Sequence, residues 1–153
     1  MRPDRDKSLP PITGPHAETM TRLRDPGRLA ALTDGVFAIV LTILVLEIAV
    51  PPNLDEKSLR DVLEHLRPTI VAWITSFLIV GMYWSAHRDL FARLRYASRD
   101  IVWINLLYLL PVCLIPFGAA LIGEYPDEPI ALHIYGVIVI LATLMRLAMF
   151  GYI

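Results

Sequence analysis

The chain has 153 residues, a formal net charge of −1, 56% hydrophobic residues and a mean hydropathy of +0.55. A soluble domain of this size rarely contains so much apolar residue, so the composition indicates an integral membrane protein. The nearly neutral charge argues against a nucleic acid as partner. The single cysteine, Cys113, excludes an intrachain disulfide and is expected to be a small buried hydrophobic residue.

The N-terminal segment is rich in proline and in charged residues. Such a segment cannot bury enough apolar surface to become ordered by itself. We therefore expect a disordered cytoplasmic tail over 1–26 and a transmembrane domain over 27–153. A signal peptide is the alternative, because basic residues precede an apolar run. The run is too long for that, and no small-residue cleavage site follows it.

Four apolar segments follow the tail, and each is long enough to cross a bilayer, which takes about 20 residues. The first segment stops at Pro51 and Pro52, and the second is expected to begin near Pro68, a residue favoured in a first helical turn. Between them, the apolar spacing over 51–67 predicts a short amphipathic helix on the membrane surface. The expected spans are 28–50, 68–87, 101–122 and 130–150. The sequence thus predicts an all-α integral membrane protein, a bundle of four transmembrane helices.

Lysine and arginine are distributed unequally among the loops. Six precede the first span if Arg28 is included, and four lie in the connector 88–99. The 51–67 segment carries three, and the loop 123–129 carries none. Because cytoplasmic loops carry the excess of these residues, we expect the N-terminus and the 88–99 connector in the cytoplasm. The chain would then be a multi-pass protein of the cell membrane.

The first span carries a narrow apolar stripe that contains one hydroxyl. Its members follow one another by four, three, one and three positions, so they share one face of a helix. This apolar stripe consists of Gly35, Ile39, Thr42, Ile43 and Leu46. In an arbitrary membrane helix such a stripe is more often a packed face than a pore. The span also carries Asp34 and Glu47, and ionisable residues at membrane depth normally face protein or water.

Three segments together resemble the transmembrane protein 175 family, which are potassium-permeable channels of endosomes and lysosomes with prokaryotic relatives. Arg28 precedes the triplet Leu32-Thr33-Asp34 and an apolar run, where the family has arginine, then Phe-Ser-Asp and an apolar run. The run Gly-Met-Tyr-Trp-Ser-Ala-His-Arg at 81–88 resembles the end of the family's second helix, with an arginine where a second histidine is common. The run Asn-Leu-Leu-Tyr-Leu-Leu at 105–110 resembles its third helix. The resemblance covers about 28–122.

The resemblance implies a homotetramer in which the first helix of each protomer lines a central pore. It implies that Ile39 forms a hydrophobic constriction, that Thr42 contributes to potassium selectivity, and that Ile43 and Leu46 also line the pore. Branched apolar rings can gate by dewetting, and a ring of hydroxyls can replace part of an ion's hydration shell. The permeant ion would be K⁺, with no cofactor. The sequence has no Thr-Val-Gly-Tyr-Gly filter, so we expect no re-entrant filter loop and a potassium preference weaker than that of channels built on such a filter.

The resemblance also implies that Arg28, Asp34 and His87 form a structural polar network that holds the pore helix at its cytoplasmic end. Polar groups at one depth on neighbouring helices can satisfy one another. The alternatives are an ordinary interfacial histidine at His87 and a helix N-cap at Asp34. Asn105, a polar residue in an apolar span, is expected to form a hydrogen bond across helices.

The ends of two spans carry further residues of interest. Glu47 is expected to raise the cation concentration at a pore mouth, and a snorkelling or interhelical carboxylate is an equally good interpretation. Trp84 lies near the end of the second span, where interfacial aromatic residues belong.

Prokaryotic members of the family have six transmembrane helices per repeat. The resemblance therefore implies that the four spans here lack the last two helices. A proton- or ion-coupled transporter is an alternative function, although it would need an ionisable residue near the midplane. A non-conducting membrane scaffold fragment is another. An intramembrane enzyme is a further alternative, but only Asp34 and His87 are candidate catalytic residues, and Asp34 has no second carboxylate at its depth. The sequence also has no Cys/His cluster, no Gly-rich phosphate loop and no nucleophile elbow, so an enzyme is not expected.

Overall fold

The computed structural model of the chain describes residues 26–49, 58–94 and 96–153. The expected tail over 1–26 lies outside these ranges, apart from Pro26, which begins the first helix. The described residues form four α-helices and no strand, and the first helix continues as a 3₁₀ turn over Leu44–Glu47. The helices are α1 Pro26–Ile43, α2 Leu59–Phe91, α3 Arg99–Glu124 and α4 Pro129–Tyr152. Each is long and apolar enough to cross a membrane, which confirms the expected all-α membrane protein.

The second helix is longer than expected, with 33 residues in one continuous element. Ser58 caps its start: the Ser58 hydroxyl accepts from the Asp61 amide, and the Asp61 carboxylate accepts from the Ser58 amide in return. At about 1.5 Å per residue the helix is about 50 Å long, which exceeds the hydrocarbon core of about 30 Å. The expected separate surface helix over 51–67 is therefore wrong where the structure describes it. Pro68 lies inside α2, not in a first turn.

A hydrogen bond between helices marks each of the two ends of the bundle. At one end, the Tyr152 hydroxyl donates to the Asp100 carboxylate at 3.0 Å, which joins the end of α4 to the start of α3. At the other, the Thr69 hydroxyl donates to the Gly123 carbonyl at 3.4 Å. We call the first of these the connector end, because the connector 92–98 joins α2 to α3 there. We call the second the loop end, because the loop 125–128 joins α3 to α4 there. By the arginine distribution, the connector end is the one expected in the cytoplasm.

The core is formed by buried side chains from all four helices, and α4 packs mainly against α3. The helices α3 and α4 approach closely at Gly118, where a Cβ atom would lie 2.8 Å from Cδ2 of Tyr135. Small residues at helix contacts permit this close approach in membrane proteins. The large side chains that are completely buried include Tyr108, Phe37, Leu44, Ile101 and Ile115.

Hydroxyl contacts join α2 to α4. The Ser76 and Tyr135 hydroxyls lie 2.9 Å apart in a buried position. The Tyr83 hydroxyl donates to the Val139 carbonyl at 2.9 Å and lies 2.8 Å from the Thr143 hydroxyl. Hydrogen bonds of this kind hold helices together where no water is present.

The lone cysteine does not lie where the sequence predicted. Cys113 is exposed on the surface of α3, so the expectation of a buried side chain is wrong. The reason is that a membrane protein can present apolar side chains to lipid as readily as to its own core, so an apolar surrounding sequence does not indicate burial.

Candidate functional site on the first helix

The first helix has one face buried in the bundle and the opposite face exposed. The buried residues recur every three or four positions and are Leu29, Thr33, Phe37, Val40 and Leu44. The apolar stripe lies on the other side: Ile39 is 58%, Ile43 is 40% and Leu46 is 73% exposed. Gly35 and Thr42 are exposed as well. Such a face must meet lipid, another chain or a pore.

Polar and small residues distinguish the apolar stripe from an ordinary lipid-facing surface. A Cβ atom built at Gly35 would meet no heavy atom within 4 Å, so the backbone there is open to a neighbour. Arg28 is exposed and lies eleven residues before Ile39, which is about three turns, so it begins the same face. Arg28 lies in the first turn of α1 and can reach the membrane surface, whereas the Thr42 hydroxyl is a polar group on this face within the span. The face therefore suits contact with water or protein better than contact with lipid.

The hydroxyl of Thr42 is held in one orientation by its own helix. Its Oγ1 atom donates a hydrogen bond to the Ile39 carbonyl at 2.8 Å. Since the single hydroxyl proton is used in this bond, the lone pairs of the oxygen remain as acceptors on the exposed face. Oxygen atoms presented in this way can replace part of the hydration shell of a cation.

A buried chain of hydrogen bonds supports α1 from behind. The amide nitrogen of Asn105 donates to the Thr33 hydroxyl at 2.9 Å, and the Asn105 oxygen lies 2.8 Å from Nε2 of His87. Because an amide oxygen can only accept, Nε2 of His87 carries the proton and donates it. The Thr33 hydroxyl in turn donates to the Leu29 carbonyl at 3.0 Å. All three side chains are buried, and together they join α1, α2 and α3.

Aromatic rings enclose His87 and fix the orientation of its imidazole. The Phe91 ring is stacked on it with a centroid distance of 4.1 Å, and the Tyr108 ring is parallel to it at 5.6 Å. Phe37 of α1 lies 6.3 Å away. The histidine is thus part of the core, and the chain of hydrogen bonds fixes the rotation of α1 that turns the apolar stripe outward.

A second contact joins α1 to α2 at the protein surface near His87. The indole nitrogen of Trp84 donates to the Asp34 carboxylate at 2.8 Å. The guanidinium of Arg88 lies 5.4 Å from the Trp84 ring, within the range of a cation–π interaction. The aspartate therefore acts as an interhelical partner of the second helix.

The structure brings together two of the three residues expected in the polar network. Asp34 and His87 lie at the same end of α1 and α2, each with a hydrogen-bond partner of its own. Arg28 does not join them: it is six residues from Asp34, which separates the two side chains by about 120° around the helix. Within the described residues the protomer has no ion pair between Arg28 and Asp34.

Two partners in these contacts were not expected to belong to a site. Thr33 is four residues from Leu29 on the buried face, and it occupies the position where the family has a serine, so its hydroxyl was a readable signal. Trp84 was expected only as an interfacial aromatic residue, and the sequence holds no signal for its bond to Asp34. The expectation that Asn105 bonds across helices is confirmed.

The other end of α1 carries the remaining candidate. Glu47 ends the 3₁₀ turn that follows α1, where it is half-buried. The turn lies at the opposite end of the first span from Asp34. Among the described residues, no group of three or more His, Cys, Asp or Glu side chains could hold a metal ion.

Comparison with known proteins relates this arrangement to ion channels. The family model described as "Endosomal/lysosomal potassium channel TMEM175" matches residues 28–116. A potassium channel of Streptomyces collinus is 35% identical over 112 residues, which cover 73% of this chain and 54% of the relative. A potassium channel of a Chryseobacterium species is 39% identical over 114 residues, covering 73% of this chain and 57% of the relative. The chain thus spans about half the length of these curated relatives.

A solved structure agrees with the fold. The crystal structure of a lysosomal potassium-selective channel TMEM175 homologue from Chamaesiphon minutus matches with a TM-score of 0.79 and 32% sequence identity. The match covers 83% of this chain and 70% of that chain. The agreement therefore extends over most of the described helices.

Proposed function

The chain belongs to the TMEM175 family of endosomal and lysosomal potassium channels, and we propose that it is one subunit of a potassium-permeable cation channel. The family is one of ion channels, so the chain is not an enzyme. Four protomers would surround a central pore in the cell membrane, with the apolar stripe of each facing the axis. The observation that carries this proposal is the exposed apolar stripe, which is held outward by buried hydrogen bonds.

In such an assembly the apolar stripe would form successive layers along the pore. Ile39 would supply the narrow hydrophobic layer, whose dewetting closes the path to ions. Thr42 is three residues further, about 4.5 Å along the helix, and its outward lone pairs would contact a partly dehydrated K⁺. Ile43 and Leu46 would line the wider section towards Glu47, and the Glu47 carboxylates would attract cations to that mouth.

Arg28 does not pair with Asp34 of its own protomer, so its partner in the proposed assembly must come from elsewhere. Because Arg28 and Asp34 face different sides of α1, we propose that the polar network closes between protomers. The Arg28 guanidinium of one copy would then contact the Asp34 carboxylate of the next. Both side chains are exposed in the single protomer, so both are available for such a contact.

A coupled transporter and a non-conducting scaffold are the competing functions. A coupled transporter needs an ionisable group that meets the substrate path near the midplane. The described carboxylates lie toward the helix ends, and His87 is sealed behind α1 by aromatic rings. These observations favour passive conduction through the assembly. A scaffold would give no ion flux at all.

Reconstitution into liposomes tests the proposal directly. Potassium flux above the level of protein-free vesicles is expected, with a weaker sodium flux. In a background with Cys113→Ala, Leu46→Cys should form disulfide-linked dimers, because the same position of four protomers faces one axis. Val45→Cys, at a neighbouring exposed position that faces another side of the same 3₁₀ turn, is the matched control and should not crosslink. Absence of both flux and crosslinking would support the scaffold.

A further inference from the structure

A groove of about 540 Å³ lies between α2 and α4 at the loop end of the bundle. Its walls are mostly apolar and include Val71, Ala72, Ile122 and Leu132. Arg67 and Pro126, a residue of the loop between α3 and α4, also line it. No residue of α1 contributes, so the groove is separate from the apolar stripe.

The groove runs along α2 over a distance comparable to the thickness of one lipid leaflet. The Thr69–Gly123 hydrogen bond places this part of α2 level with the end of α3, where the chain leaves the membrane. From Arg67 the groove follows α2 to Ser76, nine residues or about 13 Å further. Half of the hydrocarbon core is about 15 Å. The groove therefore has the depth of one lipid leaflet.

The deep end of the groove offers little to a polar ligand. The hydroxyls of Ser76 and Tyr135, which line it, are hydrogen-bonded to each other at 2.9 Å. Ser76 is 1% and Tyr135 is 8% exposed. Thr75 is the one other side chain in the lining with a hydroxyl. A polar solute would lose its hydrogen bonds to water on entering, so the groove suits a hydrocarbon chain.

Charges of both signs lie at the outer end of the groove. Arg67 is exposed and has no ion pair within the described part of the chain. The loop that borders the groove through Pro126 carries Asp127 and Glu128, and Glu124 precedes it; all three are exposed. A lipid head group that contains both a phosphate and an ammonium group complements the arginine and the carboxylates. A head group with negative charge alone would be repelled by the three carboxylates.

We propose that this groove binds one molecule of phosphatidylethanolamine. An acyl chain occupies the space between α2 and α4, the phosphate is bound by Arg67, and the ammonium lies at the acidic loop. Arginine suits the phosphate because its guanidinium can donate two parallel hydrogen bonds. The site does not depend on the proposed channel activity, since none of its residues belongs to the apolar stripe.

Native mass spectrometry of the purified full chain tests the site. The probes are phosphatidylethanolamine and phosphatidylglycerol with identical acyl chains, added in equal amounts. One phosphatidylethanolamine per protomer is expected to remain bound. Arg67→Gln should weaken its binding roughly tenfold, the usual effect of removing a charged hydrogen bond. Arg99→Gln, an exposed arginine at the connector end, is the control and should bind normally.

Filling the groove provides a second arm. Leu132 is 64% exposed and lines the groove, so Leu132→Trp should fill it without disturbing the core and should abolish lipid retention. Leu141→Trp, at a 46% exposed position of the same helix, is the control and should retain the lipid. Neutralising Glu124, Asp127 and Glu128 together should let phosphatidylglycerol bind as well as phosphatidylethanolamine.

Three results would overturn the assignment. The first is equal lipid retention by the unmodified protein and Leu132→Trp, which would place the lipid elsewhere. The second is a preference of the unmodified protein for phosphatidylglycerol. The third is a change in the number of assembled copies on Leu132→Trp with lipid still bound, which would make the groove a protein contact. Ion flux is not a readout here, so the outcome is independent of the channel proposal.

Discussion

Nε2 of His87 lies 2.8 Å from the side-chain oxygen of Asn105, and this contact joins α2 to α3 directly behind the first helix. The amide nitrogen of the same asparagine reaches Thr33 of α1 at 2.9 Å. One side chain therefore holds three helices. The orientation of the apolar stripe depends on it.

Replacement of Asn105 by leucine should destabilise the protomer. The Nε2–H group of His87 would be buried without an acceptor, at a cost of about 1–3 kcal/mol. A lower midpoint for unfolding in detergent is expected. Thr33→Val should be much less harmful in the Asn105→Leu background than alone, because its partner is already gone. Leu106→Ala, at a neighbouring exposed position, is the control. Unchanged stability of Asn105→Leu would contradict the role of the chain of hydrogen bonds.

The contact between Trp84 and Asp34 should appear as an energetic coupling. Trp84→Phe removes the indole donor and Asp34→Ala removes the acceptor. Because Asp34 is exposed, each change alone should cost only about 1 kcal/mol, and the double variant should cost little more than either. A double-mutant cycle on unfolding in detergent measures this coupling. Strictly additive effects would show that the two side chains act independently.

Substitution of Ile39 by asparagine should raise the single-channel conductance. A polar ring in place of the hydrophobic layer removes the barrier to water and ions. Val45→Asn is the control, because Val45 is 47% exposed and lies about 120° from Ile39 around the helix. Val40 is unsuited as a control, since it is 4% exposed and faces the core. A gain with Val45→Asn and none with Ile39→Asn would place the pore on another face of α1.

Loss of the Thr42 hydroxyl should reduce selectivity and leave the pore open. Thr42→Ala removes the side-chain oxygen that faces outward from the apolar stripe, so the preference for potassium over sodium should fall. Thr42→Ser keeps an oxygen at the same place and should retain the preference. Reversal potentials under bi-ionic conditions give the permeability ratio. Equal ratios for the alanine and serine variants would remove Thr42 from the selectivity mechanism.

Topology can be measured with single cysteines in a background with Cys113→Ala. Tyr96, in the connector, and Asp127, in the loop between α3 and α4, are both exposed. The distribution of arginine predicts that Tyr96→Cys is labelled only from the cytoplasm and Asp127→Cys only from outside. An impermeant maleimide added to intact cells distinguishes the two. Labelling of Tyr96→Cys from outside would reverse the orientation.

Local patterns predicted the helices and the two faces of α1, because hydrophobic spacing along one helix determines which side chains share a face. The start of α2 was not predicted, because a proline after charged residues resembles a boundary. Pro68 leaves only the Glu64 carbonyl without its usual helical partner, and near the membrane surface water can bind it. The helix can therefore pass through the proline.

Contacts between helices were harder to predict than the helices. The resemblance named Arg28, Asp34 and His87 as a network without saying which atoms meet. The six-residue spacing of the first two would have excluded a direct pair in one protomer. The partners Asn105 and Trp84 lie 72 and 50 positions from their α1 contacts. Such pairings follow from how the helices pack, which no local pattern contains.

The amide at the centre of the buried chain has a consequence for proton movement. A proton passes along hydrogen-bonded groups only if each one can accept a proton on one side and release another on the other side. Imidazoles, carboxylic acids and water do this, whereas the Asn105 amide nitrogen can only donate. Protons therefore cannot be relayed from His87 to Thr33 along this path, although its hydrogen bonds are complete. This buried chain of hydrogen bonds therefore fixes the position of α1 without offering a route for protons behind it.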